Sequence, residues 1–174
     1  MRWLYRVRQF GRYLNTRLSP AESQSAERLL GPGLFELFGR MSPGEQAHSY
    51  RVAQTLIAAG HTEPELLLAA LLHDVGKTRA PLGLWERTLV VLGGGFAPGL
   101  AARMGRAGNG PRPWQRPFIT AAQHADWGAE MAECAGAPLR AVALIRRHQA
   151  APPVPPRTED DRLLAALRQA DEEN

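Results

Sequence analysis

The feature that most constrains this chain is the stretch Leu66-Leu67-Leu68-Ala69-Ala70-Leu71-Leu72-His73-Asp74-Val75. It is apolar on nearly all sides, which predicts a buried helix at the centre of its domain. It is also far short of the roughly 20 apolar residues needed to cross a bilayer. A histidine and an aspartate nevertheless sit inside it. An unpaired carboxylate in such surroundings costs on the order of several kcal/mol, and a leucine would remove that cost. A cation held jointly by both side chains would compensate. So would a histidine paired with an aspartate that accepts backbone amides. The pair alone leaves both readings open.

The rest of the chain reads as helical. Ser19-Pro20 starts a segment that runs to Leu30 and is broken by Gly31-Pro32-Gly33, before a short apolar segment from Leu34 to Met41. Ser42-Pro43-Gly44-Glu45 has the form of a capping box with proline at the first helical position, and Gly60 is a natural end for the helix it opens. Thr62 and Glu65 predict a second box. Further helices are expected over Pro81–Leu92, Pro98–Met104, Phe118–Cys134 with a break near Ala125, and Pro138–Gln149. Residues 105–117 read as a loop. Prolines 152, 153, 155 and 156 form a stiff connection, and Thr158 caps a last helix that runs to Asp171. No strand-like alternation stands out, so the expected class is all-α. With 174 residues one core suffices. The division expected is an N-terminal helical extension over 1–41 and the main domain over 42–174.

Cys134 is the single cysteine, which rules out an intrachain disulfide and a thiolate cluster, fits a reducing interior, and reads as a small core residue. Arginines interrupt the N-terminus, so it does not resemble a signal peptide, and no apolar run approaches bilayer length. The expected location is cytoplasmic. Residues 1–18 read as a cationic amphipathic helix with a Trp3, Val7, Phe10, Leu14 stripe. Packing on the domain is its first reading. A peripheral membrane or partner contact comes second and nucleic acid third, with no stable nucleic-acid complex expected. The net charge of +4 is carried almost wholly by arginine, and Lys77 is the only lysine.

His48, His73, His124 and His148 fall on four separate predicted elements, with Asp74 beside His73 and Asp171 on the last helix. Imidazole and carboxylate suit first-row transition metals. Lys77 lies four positions after His73 and three after Asp74, hence on their face if the helix continues. There it would bind a substrate phosphate as a point charge, unless it is a surface lysine favoured by the helix dipole. Arg51, one turn after His48, and Arg147, just before His148, are further phosphate-binding candidates against the plainer reading of solvated arginines. Asp126 is expected to cap a helix starting at Trp127, and His61 to lie in a loop.

These residues resemble the HD-domain superfamily of metal-dependent phosphohydrolases. The likeness rests on His48, the string His73-Asp74-Val75-Gly76-Lys77 and Asp171, and covers about residues 42–174. It implies an HD-domain helical bundle around the central helix. His48, His73, Asp74 and Asp171 would hold one ion. His124 and His148 match the positions used for a second, with Asp74 bridging. The implied cofactor is a divalent transition metal, two ions, Fe or Mn foremost, with Ni, Co, Zn or Mg as alternatives. The implied activity is cleavage of a phosphate mono- or diester of a small nucleotide-like substrate by an activated water. Asp74 and Lys77 are then catalytic, and Lys77, Arg51 and Arg147 bind substrate. The chain departs from the branch that cleaves cyclic di-GMP. It reads Gln149-Ala150-Ala151 after His148 and lacks the Gly-Tyr-Pro signature, and Gln149 stands where some relatives carry a histidine. Lys77 replaces the acidic residue of one mononuclear nucleotidase branch. Two other readings share the ligand order: an HD-type di-iron oxygenase, and a non-catalytic metal- or ligand-sensing module.

Overall fold

The computed structural model describes residues 16–83, 86 and 113–174. The expectations for residues 1–15, for helices over Pro81–Leu92 and Pro98–Met104, and for most of the loop 105–117 lie outside the described residues. Within them all regular structure is helical, as expected. The α-helices are α1 Pro20–Gly39, α2 Pro43–Ala58, α3 Pro64–Leu72, α4 Arg116–Cys134, α5 Leu139–Arg147 and α6 Glu159–Glu173, with 3-10 turns at Val75–Arg79 and Pro113–Gln115. Among the described residues, no helix is long and apolar enough to cross a membrane.

Local chemistry sets most helix starts. Ser19, Ser42 and Thr158 each accept from the backbone three residues on, and the acidic side chain there reaches back to the cap, completing three capping boxes. The box expected at Thr62 and Glu65 does not form. Pro64 takes the first helical position, so Glu63 becomes the cap residue and Glu65 falls one place short of closing a box. The Thr62 amide donates to the Glu63 carboxylate instead, at 3.0 Å. The break at Gly31 is a kink within α1, where glycine takes φ 69° and Pro32 restarts the helix. Leu30, Leu34, Leu37 and Phe38 of α1 enter the same core as α3, so this part of the expected extension packs within the main body.

α3 is the centre. Leu66, Ala69, Ala70, Leu71 and Leu72 are completely buried, enclosed by α1, α2, α5 and α6. Each leucine so buried contributes about 1.5–3 kcal/mol. α3 ends at Leu72 and does not carry α-helical winding through to Lys77. His73 and Asp74 form a turn, with Asp74 at φ −97° and ψ −1°, and the chain tightens into the 3-10 turn. That turn presses directly on α4. A Cβ at Gly76 would lie 1.9 Å from the His124 carbonyl oxygen and 2.5 Å from the Gly128 nitrogen. Only glycine fits here.

α4 is continuous, so the break expected near Ala125 is absent. Asp126 is consequently no helix cap; it lies mid-helix, 3.8 Å from Arg146 on α5. Cys134 corrects a further expectation. It is exposed, because the last turn of α4 buries Ala132 and turns residue 134 outward. α5 buries Ala141, Val142, Leu144 and Ile145, and α6 buries Leu163, Leu164, Leu167 and Ala170. Both follow helical periodicity.

Candidate metal centre

The six predicted ligands come from five helices and meet at one place. His48 projects from α2, His73 caps the end of α3, and Asp74 follows in the turn. His124 lies inside α4, His148 caps the end of α5, and Asp171 sits in the last turn of α6. His73, Asp74, His124 and His148 are buried. His48 Nε2 is 2.9 Å from Asp171 Oδ1. His73 Nε2 lies 3.6 Å from Asp74 Oδ2 and 3.6 Å from Asp171 Oδ1. His124 Nε2 is 3.5 Å from Asp74 Oδ1 and 3.3 Å from His148 Nε2. Asp74 therefore turns one oxygen to each side. It belongs to two triads, His48/His73/Asp74 and Asp74/His124/His148, whose ligand atoms lie within 4.8 Å of one another.

Backbone carbonyls aim the rings. His73 Nδ1 donates to Ala70 O at 2.9 Å and His148 Nδ1 to Ile145 O at 2.8 Å. His124 Nδ1 faces Thr120 O and Ala121 O, both at 3.1 Å. A carbonyl only accepts, so each of these Nδ1 atoms carries hydrogen, and the neutral ring presents a lone pair at Nε2. His73 and His148 stand at helix ends, where the last carbonyls lack helical partners, so the local backbone supplies the acceptor. Imidazoles held this way are characteristic of metal sites.

The result is a buried convergence of acceptors. The His124 and His148 Nε2 lone pairs face each other beside a carboxylate. That arrangement is repulsive unless a proton or a cation lies among them. The donor set, its burial and its orientation all fit divalent metal, and these His/Asp clusters could hold a metal ion.

Titration follows the same logic. Burial by itself lowers the pKa of His73, but the Asp74 and Asp171 carboxylates outweigh it and raise it to about 9. Without metal, His73 thus holds a proton between two carboxylates. Burial, reinforced by the His73 charge, lowers His148 to about 4, leaving it neutral. Burial would raise Asp74, yet the Lys77 and His73 charges hold it well below the usual carboxylate range. Burial opposes ionisation of Asp171 too, and hydrogen bonds from His48 and His73 overcome it.

Lys77 lies where its spacing placed it, though for a different reason. A 3-10 turn has three residues per turn, so position i+3 eclipses i, and the Lys77 ammonium contacts Asp74 Oδ2. Its side chain is 34% exposed and that of Asp171 38%, which marks the open edge of the cluster. Arg147 points elsewhere, and among the described residues Arg51 makes no ion pair with the cluster carboxylates. Arg147 is rotated by about 100° from His148 and bonds Asp161 Oδ1 at 3.0 Å, tying α5 to the start of α6. Arg51 is half-buried and its charge acts on Glu22 in the first turn of α1. His61 lies outside the helices, as expected, 3.4 Å from Glu63. The sequence reading gave no role to Gln149, whose carboxamide nitrogen is 3.4 Å from His124 Nε2. Its signal was adjacency to His148. Comparison with family models, with curated proteins and with solved structures gives no match.

Proposed function

We propose that the chain is an HD-type metal-dependent phosphohydrolase that cleaves a phosphate mono- or diester of a small nucleotide-like molecule. The observation that carries this reading is the sharing of Asp74 between two buried histidine triads with the half-exposed Lys77 at their open edge. His48, His73, Asp74 and Asp171 would hold one ion, and Asp74, His124 and His148 a second, with iron or manganese suited to the donors. Bound ions would supply Lewis acidity and lower the pKa of water at the site.

The chain's own residues do the rest. Carbonyl bonds fix the imidazoles before any ligand arrives, so no reorganisation is needed at that moment. Asp74 is ionised at all physiological pH values. Two divalent ions exceed the charge of two carboxylates and leave a positive site suited to an anionic ester. Lys77 shields Asp74 and is placed to take a phosphoryl oxygen as a point charge.

The test uses protein stripped of metal and reloaded with Mn2+ or Fe2+, with ions counted by elemental analysis. p-Nitrophenyl phosphate, bis-p-nitrophenyl phosphate and a nucleotide panel are then assayed. Metal-dependent turnover of at least one, abolished by Asp74→Ala, is expected. Two tightly held ions with no turnover of any ester would refute the reading. Oxygen consumption with an organic substrate would put the oxygenase in its place.

A further inference from the structure

Gln149 sits just beyond the end of α5, directly after the last histidine of the cluster. It is exposed, yet its carboxamide nitrogen lies 3.4 Å from the buried His124 Nε2. The His124 ring decides which end of the amide points inward. Its Nδ1 hydrogen faces two carbonyls, so Nε2 presents a lone pair. An amide oxygen would be repelled there, whereas an amide N–H donates. The backbone next to Gln149 is pinned by the Ala150 amide donating to Arg147 O at 2.7 Å. The side chain is therefore held at the rim by its own main chain.

The lone pair that Gln149 meets is the same one that an ion in the Asp74/His124/His148 triad would use. Once it is taken, the carboxamide keeps two N–H donors at a solvent-facing edge beside a positive centre. Donors that add no charge suit a phosphoryl oxygen, and Lys77 offers a charged donor on the Asp74 side. Resting on the phosphohydrolase reading above, we propose that Gln149 is a substrate-orienting residue that donates its side-chain N–H to a non-bridging oxygen of the bound phosphate group. The neighbouring backbone stays pinned by the Ala150–Arg147 bond, so little main-chain freedom is lost on binding. A carboxylate at this position would instead meet the phosphate with like charge.

The experiment measures inorganic phosphate binding calorimetrically to Mn2+-loaded wild type, Gln149→Ala and Gln149→Glu, with the ion count and melting temperature of each. All three proteins are expected to hold the same number of ions and to melt alike. Phosphate affinity should fall about tenfold in Gln149→Ala, the usual range for a hydrogen bond to a charged group, and further in Gln149→Glu. Equal phosphate affinity in all three overturns the assignment while leaving the hydrolase reading in place. Loss of an ion in Gln149→Ala also overturns it, because the amide oxygen would then be a metal ligand. If the loaded wild type binds no phosphate, the hydrolase reading falls and takes this assignment with it.

Discussion

Gly76→Ala is the substitution for which the structure gives the sharpest expectation. The added methyl would lie 1.9 Å from the His124 carbonyl oxygen, 2.5 Å from the Gly128 nitrogen and 2.9 Å from the His124 carbonyl carbon. All three are main-chain atoms, so no side chain can swing aside. The 3-10 turn and α4 would have to part by about 1.5 Å to reach ordinary contact. Overpacking of this kind costs about 1–3 kcal/mol, and the rigid partners place this case at about 3. For a chain of this size that lowers the melting temperature by roughly 6–12 °C. The site should suffer as well, because the turn carries Asp74 and α4 carries His124. Metal–ligand distances tolerate only about 0.2 Å, so the ion between Asp74, His124 and His148 should be lost first. Calorimetric melts of the metal-free protein and elemental analysis of the reloaded protein measure the two effects separately. Gly39→Ala is the control, since a Cβ there meets nothing within 4 Å. It should be neutral or slightly stabilising. A Gly76→Ala protein that melts like the wild type and holds the same ions would refute the close contact.

Titration gives two further expectations. His73 has a raised pKa of about 9 when folded, so its contribution is complete below about pH 6.5 and is lost as pH rises through 9. His148 is depressed to about 4, so the unfolded chain binds the extra proton between that value and about pH 6.5, and stability falls as pH drops through this window. Urea denaturation of the chelated protein should therefore show greatest stability near neutral pH, and a steady rise from pH 6.5 to 9 would contradict the His73 environment. Metal must displace the His73 proton, so binding near pH 7.5 should release about one proton per protein, detectable as a dependence of the calorimetric heat on buffer ionisation enthalpy; no dependence would count against His73 as a ligand. Lys77→Met should raise KM about tenfold for a phosphate ester with the ion count unchanged, and an unchanged KM would remove the lysine from substrate binding. Ser42→Ala breaks a capping box and should cost about 1 kcal/mol, read as a melting shift of roughly 2–4 °C; an unaltered melt would show the cap to be idle.

What could be read from the residues was what depends on near neighbours. Ser42 and Thr158 were recognisable as caps because a capping box spans only four residues. Thr62 misled because Pro64, two places on, fixes the first helical position and overrides the pattern. The end of α3 was invisible for another reason. Apolar periodicity does not register a change from α to 3-10 winding, and the cause is the contact of Gly76 with α4, some 50 residues away. His73 and Asp74 were legible because an imidazole and a carboxylate inside an apolar run demand partners, whereas His48, His124, His148 and Asp171 were singled out by the resemblance. The meeting of all six was not legible, since it depends on how five helices cross. Arg147 shows the limit most plainly. It neighbours a ligand in sequence, but one step along a helix turns a side chain onto a different face, toward Asp161.

The bonds from His73 and His148 to the carbonyls of Ala70 and Ile145 make the history of this site hard to reverse. Each ring finishes a helix and points a nitrogen inward, so one substitution removes two functions. A leucine at either position would abolish a ligand and also remove a side-chain bond to a main-chain oxygen, although at position 148 the backbone amide still donates to Ile145 O at 3.4 Å. Alanine scanning at these positions will overstate the importance of metal, because part of each loss belongs to the helix end. A lineage that ceased to need the metal would meet the same obstacle. It could give up the chemistry only by also giving up these side-chain bonds at the ends of α3 and α5.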